Sequence, residues 1–234
     1  MGVFKFKKFS VCDDRATMKV GTDGVLLGAW ADVSIAKNLL DIGTGSGIIA
    51  LMMAQRTDEN SRIDAVEFQA EDAQQAIENV SLSPWLEKIS VIHSSIQEFI
   101  SKTQYQCILC NPPYFSKSLH PSSASRRNAR HDVTLSHNDL LQAAVRLLSL
   151  EGRLNVVLPP AESDAFMAEA SAMKLFPTRL TRFFTRPGKN QERSLMEFRR
   201  TKDKLVEGTL MLYQVDDRWT AEYRKLTGEF YLER

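Results

Sequence analysis

The sequence predicts an α/β fold: a mostly parallel, seven-stranded sheet whose final strand runs antiparallel, with helices on both faces. Three observations carry this. Short apolar runs alternate with amphipathic stretches, the pattern of repeated strand–helix units. Glycines 43, 45 and 47 sit between one such run and a helical pattern, as in a strand–loop–helix turn. Polar residues follow directly on the apolar runs, at Glu67, at His93–Ser95 and at Asn111, and ligands of open α/β sheets bind at the carboxyl ends of strands.

At 234 residues and 43% hydrophobic content the chain can bury one substantial core, so a single domain over residues 1–234 is expected. The formal net charge is only +1, but the chain is acidic on balance up to residue 120 and basic beyond it, which suits a polyanionic partner. Three cysteines, Cys12, Cys107 and Cys110, form no even disulfide framework. Cys107 and Cys110 have CxxC spacing, yet within a strand those positions face opposite ways. They are expected to be buried as small apolar groups, and no metal site is expected. The N-terminus alternates Lys with Phe and lacks a continuous apolar signal core, and no run approaches the ~20 apolar residues of a membrane span. A reducing, cytoplasmic setting is the expectation.

In chain order, residues 1–9 alternate apolar and basic side chains at Phe4, Lys5, Phe6 and Lys7, the two-residue period of an edge strand. Lysines there discourage strand addition, and Lys5 and Lys7 can equally form a basic lip for a substrate. Between Met18 and Gly28, Thr22 and Asp23 are expected to cap a helix starting near Gly24, in a turn that can fold back over the ligand of the following glycine loop. Asn38–Ala54 then reads as strand, loop and helix. Asp41 closes the strand, and Gly43, Gly45 and Gly47 let the backbone approach a ligand while the helix start offers free amides. The spacing is GxGxG, not the GxGxxG of most dinucleotide sites. Ser61–Phe68 forms the second strand, delivering Glu67 about 20 residues beyond the loop, where a carboxylate accepts hydrogen bonds from both hydroxyls of a ribose.

A helix from about Ala70 to Leu82 carries apolar residues on one face and stops before Pro84. The third strand, Ile89–Ser95, places Ser95 and the following Ile96 to touch the adenine of a cofactor. Tyr105–Cys110 is the fourth strand, and Asn111-Pro112-Pro113-Tyr114 follows at its carboxyl end. This tetrapeptide suits a planar amine: Asn111 and the Pro112 carbonyl are acceptors, the two prolines stiffen the chain, and Tyr114 offers a stacking surface. Residues 116–138 turn polar without periodicity, and Arg126, Arg127 and Arg130 there can contact phosphates. Next come a helix over Asp139–Leu150, a turn at Glu151-Gly152, a fifth strand over Arg153–Leu158 and a helix over Ala161–Met173. Leu180–Thr185 and Leu195–Arg200 complete the sheet as an antiparallel pair in a Lys- and Arg-rich stretch. Apolar residues spaced through 201–234 predict an extension packed on the core.

The order of glycine loop, terminal glutamate and Asn-Pro-Pro-Tyr resembles the class I S-adenosylmethionine-dependent methyltransferases that modify exocyclic amines, over roughly residues 18–200. The start at Phe4–Phe9, the Met18-Lys-Val-Gly-Thr-Asp-Gly stretch and the basic loop after the tetrapeptide are similar, more specifically, to the tRNA1(Val) adenine N6-methyltransferases, which act at tRNA position 37. The resemblance implies a Rossmann-like core over 38–200, an N-terminal arm and lid over 1–37, S-adenosylmethionine as cofactor and tRNA as partner. It also implies that Lys19, Thr22 and Asp23 help hold the cofactor, with Asp41, Gly43, Glu67, the adjoining Phe68 and Asn111. Protein-glutamine N-methyltransferases share the tetrapeptide but carry a sizeable helical domain before the loop, whereas only residues 1–42 precede Gly43 here. A DNA adenine methyltransferase would need room for a target-recognition domain. Guanine N2-methylation of ribosomal RNA uses a similar tetrapeptide and stays open. A noncatalytic cofactor-binding module would not require Glu67 together with the whole tetrapeptide, and a nicotinamide dehydrogenase is disfavoured by the loop spacing.

Overall fold

A computed structural model describes residues 2–113 and 135–232. Strands β1 (Val3–Lys5) and β2 (Ser10–Cys12) form a small antiparallel hairpin. Helix α1 (Thr22–Trp30) leads to β3 (Asn38–Ile42), α2 (Ile48–Arg56), β4 (Arg62–Glu67), α3 (Ala70–Ser81), β5 (Ile89–His93) and β6 (Tyr105–Cys110). After residue 134 come α4 (His137–Leu147), β7 (Leu148–Leu158), α5 (Pro160–Ala172), β8 (Phe176–Phe184), β9 (Gln191–Arg199), β10 (Val206–Met211) and α6 (Ala221–Thr227). Among the described residues no helix is long and apolar enough to cross a membrane.

The main sheet runs β10-β8-β9-β7-β6-β3-β4-β5. Every pairing in it is parallel except those of β9, which is antiparallel to both β7 and β8. The topology explains this: α5 carries the chain from β7 past one vacant place to β8, and β9 turns straight back to fill the gap. The expected antiparallel final strand is β9, but among the described residues the sheet has eight strands, not seven. Val206–Met211, expected only to pack on the core, extends the sheet in parallel beside β8, with Leu210 buried.

Strand order separates two apolar layers. Leu39, Cys107, Leu109, Val157 and Leu195 face α1 and α2, while Leu40, Ile108, Cys110, Val156 and Met196 face α4 and α5. Cys107 and Cys110 therefore lie on opposite faces, both wholly enclosed, as the strand period requires. Tyr223 and Phe230, from the C-terminal segment, belong to the first layer.

Four local expectations are corrected. The first residues form their own hairpin rather than an edge of the main sheet; Phe6 stacks on Phe9 and bridges to Tyr231, so aromatic packing holds it. Thr22 and Asp23 lie inside α1; the N-cap is Gly21, with extended backbone, and Asp23 spends its carboxylate on Arg193 instead. Helix α4 starts at His137 because Ser136 caps it, its hydroxyl accepting from Asp139 N at 3.1 Å while Asp139 accepts from Ser136 N at 3.3 Å. That helix passes into β7 at Leu148 without a turn, since Leu148 is wholly buried and already pairs with Tyr105. Glu151 and Gly152 lie inside the strand, near a register shift.

Candidate active site

The carboxyl ends of β3, β4, β5 and β6 open into a cleft of about 440 Å³, and residues 17–24 cross its other side. Sheet register sets its floor. Ile42 pairs with Cys110 and with Val66, so Gly43, Asn111 and Glu67 emerge together at one rim. Gly43 and Thr44 donate to the Val66 carbonyl at 2.9 and 3.2 Å, which bends the loop over the sheet end. Gly43 and Gly45 have φ of +70° and +55°, and a Cβ added at either would meet nothing within 4 Å: the bare backbone is the wall of an open space.

Two carboxylates stand behind this wall. Glu67 is nearly buried; its Oε2 accepts from Gly45 N and its Oε1 from Gln69 N, each at 2.9 Å. Burial raises its pKa against the pull of those two amides. Each oxygen keeps a further lone pair for a hydroxyl donor. Asp41 is wholly buried below the loop: Oδ2 accepts from Thr44 Oγ1 at 2.5 Å and Ala50 N at 3.1 Å, while Oδ1 has no partner among the described residues. Burial pushes its carboxyl up to about 7, with the nearby Glu67 charge adding to the effect.

Of the residues expected to hold a cofactor, Lys19, Asp23, Gly43, Gly45, Glu67, Phe68, Ser95, Ile96 and Asn111 all line the cleft, together with Pro112 and Pro113. Asp41 and Gly47 lie behind its surface and shape the loop, and Thr22 begins α1 beside it without lining it. Lys19 turns its ammonium to the Asp13 and Asp14 carbonyls at 2.5 and 3.0 Å, acting within its own segment. Lys5 and Lys7 are not brought to the cleft; they sit on the N-terminal hairpin, where Lys7 N donates to the Phe230 carbonyl at 2.8 Å. Tyr114, Arg126, Arg127 and Arg130 lie outside the described residues.

Several lining residues escaped the sequence reading, among them Thr17, Gln69 and Asp72, whereas Ser94, one of the polar residues read at the end of the third strand, does line the cleft. Asp72 accepts from Thr17 N at 2.8 Å and Thr17 Oγ1 at 3.2 Å, tying the crossing segment to α3. An acidic residue in the first turn of the helix after Glu67 was a readable signal; its partner was not.

The cleft is acidic, lined by Asp23, Glu67 and Asp72 with Asp41 beneath. That donor set fits a cationic ligand with a ribose, and the unpartnered Asp41 oxygen marks where positive charge is favoured. Cys107 and Cys110 do not line the cleft, and burial pushes the Cys107 thiol up to about 12 and Cys110 well above its usual value.

Such a sheet and cleft define a class I, S-adenosylmethionine-dependent methyltransferase, and residues 20–164 match the family model of the methyltransferase small domain. Solved structures agree at the level of fold. A protein from Agrobacterium tumefaciens described as a predicted O-methyltransferase superposes with a TM-score of 0.68 at 18% identity, over 91% of this chain and 99% of that one. A type I restriction-modification methyltransferase subunit from Streptococcus thermophilus superposes with a TM-score of 0.57 at 15% identity, over 82% of this chain and 48% of that one. Sequence relatives are more specific. The tRNA1(Val) (adenine(37)-N6)-methyltransferase of Aeromonas hydrophila is 43% identical over 98% of this chain and 97% of its own, and the protein of that name in Phocaeicola vulgatus is 44% identical over 98% and 97%. The chain belongs to the tRNA1(Val) (adenine(37)-N6)-methyltransferase family.

Proposed function

We propose that this protein methylates the N6 amine of an adenine in tRNA, adenosine 37 of tRNA1(Val), using S-adenosylmethionine, in the cytoplasm. The whole chain acts as one domain: residues 1–37 form arm and lid, 38–200 the core, and 201–234 an extension packed on it. One observation carries the reading: Asn111 and Pro112 open onto the same cleft as Glu67 and the glycine loop, so amine and methyl donor can meet in one cavity.

When bound, S-adenosylmethionine supplies an electrophilic methyl on a sulfonium. The protein's residues do the rest. Glu67 accepts the ribose hydroxyls, the bare backbone at Gly43 and Gly45 lets the cofactor approach closely, and Ser95 and Ile96 border its adenine. Asp41 and the acidic wall favour its positive charge. An adenine N6 amine is a poor nucleophile because its lone pair is delocalised into the ring. The Asn111 carboxamide oxygen and the Pro112 carbonyl accept its two hydrogens, which turns the lone pair toward the methyl and stabilises the charge developing on nitrogen. Pro112 and Pro113 hold those acceptors in place before the substrate arrives. Tyr114 stacks on the extruded base, and Arg126, Arg127 and Arg130 meet the phosphates. The amine proton becomes acidic only after transfer and leaves to water, so no separate base is required. An unpaired anticodon loop lowers the cost of extruding the base, a few kcal/mol in a duplex, which favours RNA loops over duplex DNA.

The test is purified protein with labelled S-adenosylmethionine and tRNA, duplex DNA or protein, followed by nucleoside digestion. N6-methyladenosine from tRNA is expected. Label confined to guanosine or to protein would overturn the reading.

A further inference from the structure

The segment crossing the cleft is tied down at both ends. At one end Thr17 bonds Asp72 of α3 at 2.8 and 3.2 Å. Within the segment Val20 N donates to Asp13 Oδ2 at 2.8 Å, and Lys19 holds the Asp13 and Asp14 carbonyls. At the other end Asp23, in the first turn of α1, accepts from Arg193 Nε at 2.9 Å, across a separation of 170 residues. Both side chains are partly buried, with Arg193 25% and Asp23 19% exposed. Arg193 also donates from Nη1 to the Glu192 carbonyl at 2.7 Å, and it stands near the start of β9, opposite Phe183 of β8. The arginine is the fixed post and the crossing segment is what it holds.

We propose that Arg193 is a positioning residue for the cofactor: its ion pair with Asp23 sets the start of α1 and the crossing segment against the cleft, so cofactor affinity depends on the antiparallel strand. This rests on the cofactor reading above. Asp23, Glu67 and Asp72 line one cleft, and like charges gathered in one cavity disfavour one another. The guanidinium offsets one of those charges and directs it; without it the first turn of α1, which lacks a side-chain cap at Gly21, loses a fixed contact.

Calorimetric titration of S-adenosylmethionine into wild type, Arg193→Met, Arg193→Lys, Asp23→Asn and the Arg193→Met/Asp23→Asn double variant tests this. Each of Arg193→Met and Asp23→Asn is expected to weaken binding about tenfold. The double variant should be no weaker than the worse single variant, since both changes break one interaction. Arg193→Lys, keeping the charge without the fork, should fall between wild type and Arg193→Met. Turnover of Arg193→Met at saturating cofactor should stay near wild type while the KM for cofactor rises, with the melting temperature nearly unchanged. Additive losses in the double variant, unchanged affinity in Arg193→Met, or a fall in melting temperature that tracks the loss of affinity would each overturn the proposal while leaving the methyltransferase reading intact. Failure of wild type to bind the cofactor would overturn both.

Discussion

Replacing Asp41 with Asn should make the protein more stable at neutral pH while weakening its hold on the cofactor. The carboxylate is wholly buried, with one oxygen bonded to Thr44 and Ala50 and the other without a partner among the described residues. Its folded pKa is raised, from an ordinary 3.8 to about 7. The sign follows. Below 3.8 both folded and unfolded chains carry the proton; between 3.8 and about 7 only the folded chain does, so stability falls as pH rises; above about 7 both are ionised and the loss is complete. At about 1.4 kcal/mol per pH unit the whole loss is about 4 kcal/mol, of which about 3 falls between pH ~5 and ~8. Asn matches the shape, can present its oxygen to Thr44 and Ala50, and does not ionise. Urea unfolding of both proteins at pH ~5 and ~8 should show the Asn variant gaining about 3 kcal/mol on wild type across that interval. A cationic ligand favours the ionised form, so wild-type affinity for S-adenosylmethionine should strengthen as pH rises through about 7, and the Asn variant's should be weaker and flat. Parallel stability profiles for the two proteins would refute the reasoning.

Asn111→Ala and Tyr114→Ala should each abolish most turnover at saturating cofactor, by roughly a hundredfold or more for the lost amine acceptor, and Tyr114→Ala should leave cofactor affinity by calorimetry little changed; equal loss of turnover and affinity in Tyr114→Ala would mark a folding role. Gly47→Ala should destabilise the fold by about 1–2 kcal/mol in urea unfolding, because φ there is +84° and the new Cβ would lie 3.4 Å from that of Ala76.

Much of the site was legible because its chemistry is local. The glycine loop, Glu67 at the end of β4 and Asn111-Pro112-Pro113 at the end of β6 are each a short stretch attached to a strand end, and the parallel order of those strands follows from the intervening helices. Element boundaries read within a few residues for the same reason, and the departures trace to contacts made elsewhere. Thr22 and Asp23 look like caps, but Gly21 takes that place and Asp23 turns to Arg193. Lys5 and Lys7 stand on a hairpin that aromatic packing fastens to residues 230–231, outside the cleft lining, a placement the local alternation does not announce. Val206–Met211 carries too weak an alternation to announce a strand; the open edge of β8 makes it one.

By itself, then, the sequence determined which groups are available for the proposed ribose, cationic methyl donor and planar amine, because each is written within a few consecutive residues whose backbone geometry is local. Only the tertiary structure decided that these groups share one cleft, that Asp41 is buried deeply enough to change its ionisation, and that a cation from β9 steadies the segment over the site. Burial and electrostatics at a residue are set by whatever neighbours the fold delivers, and the partners that matter most here, Asp23 with Arg193 and Thr17 with Asp72, come from distant parts of the chain.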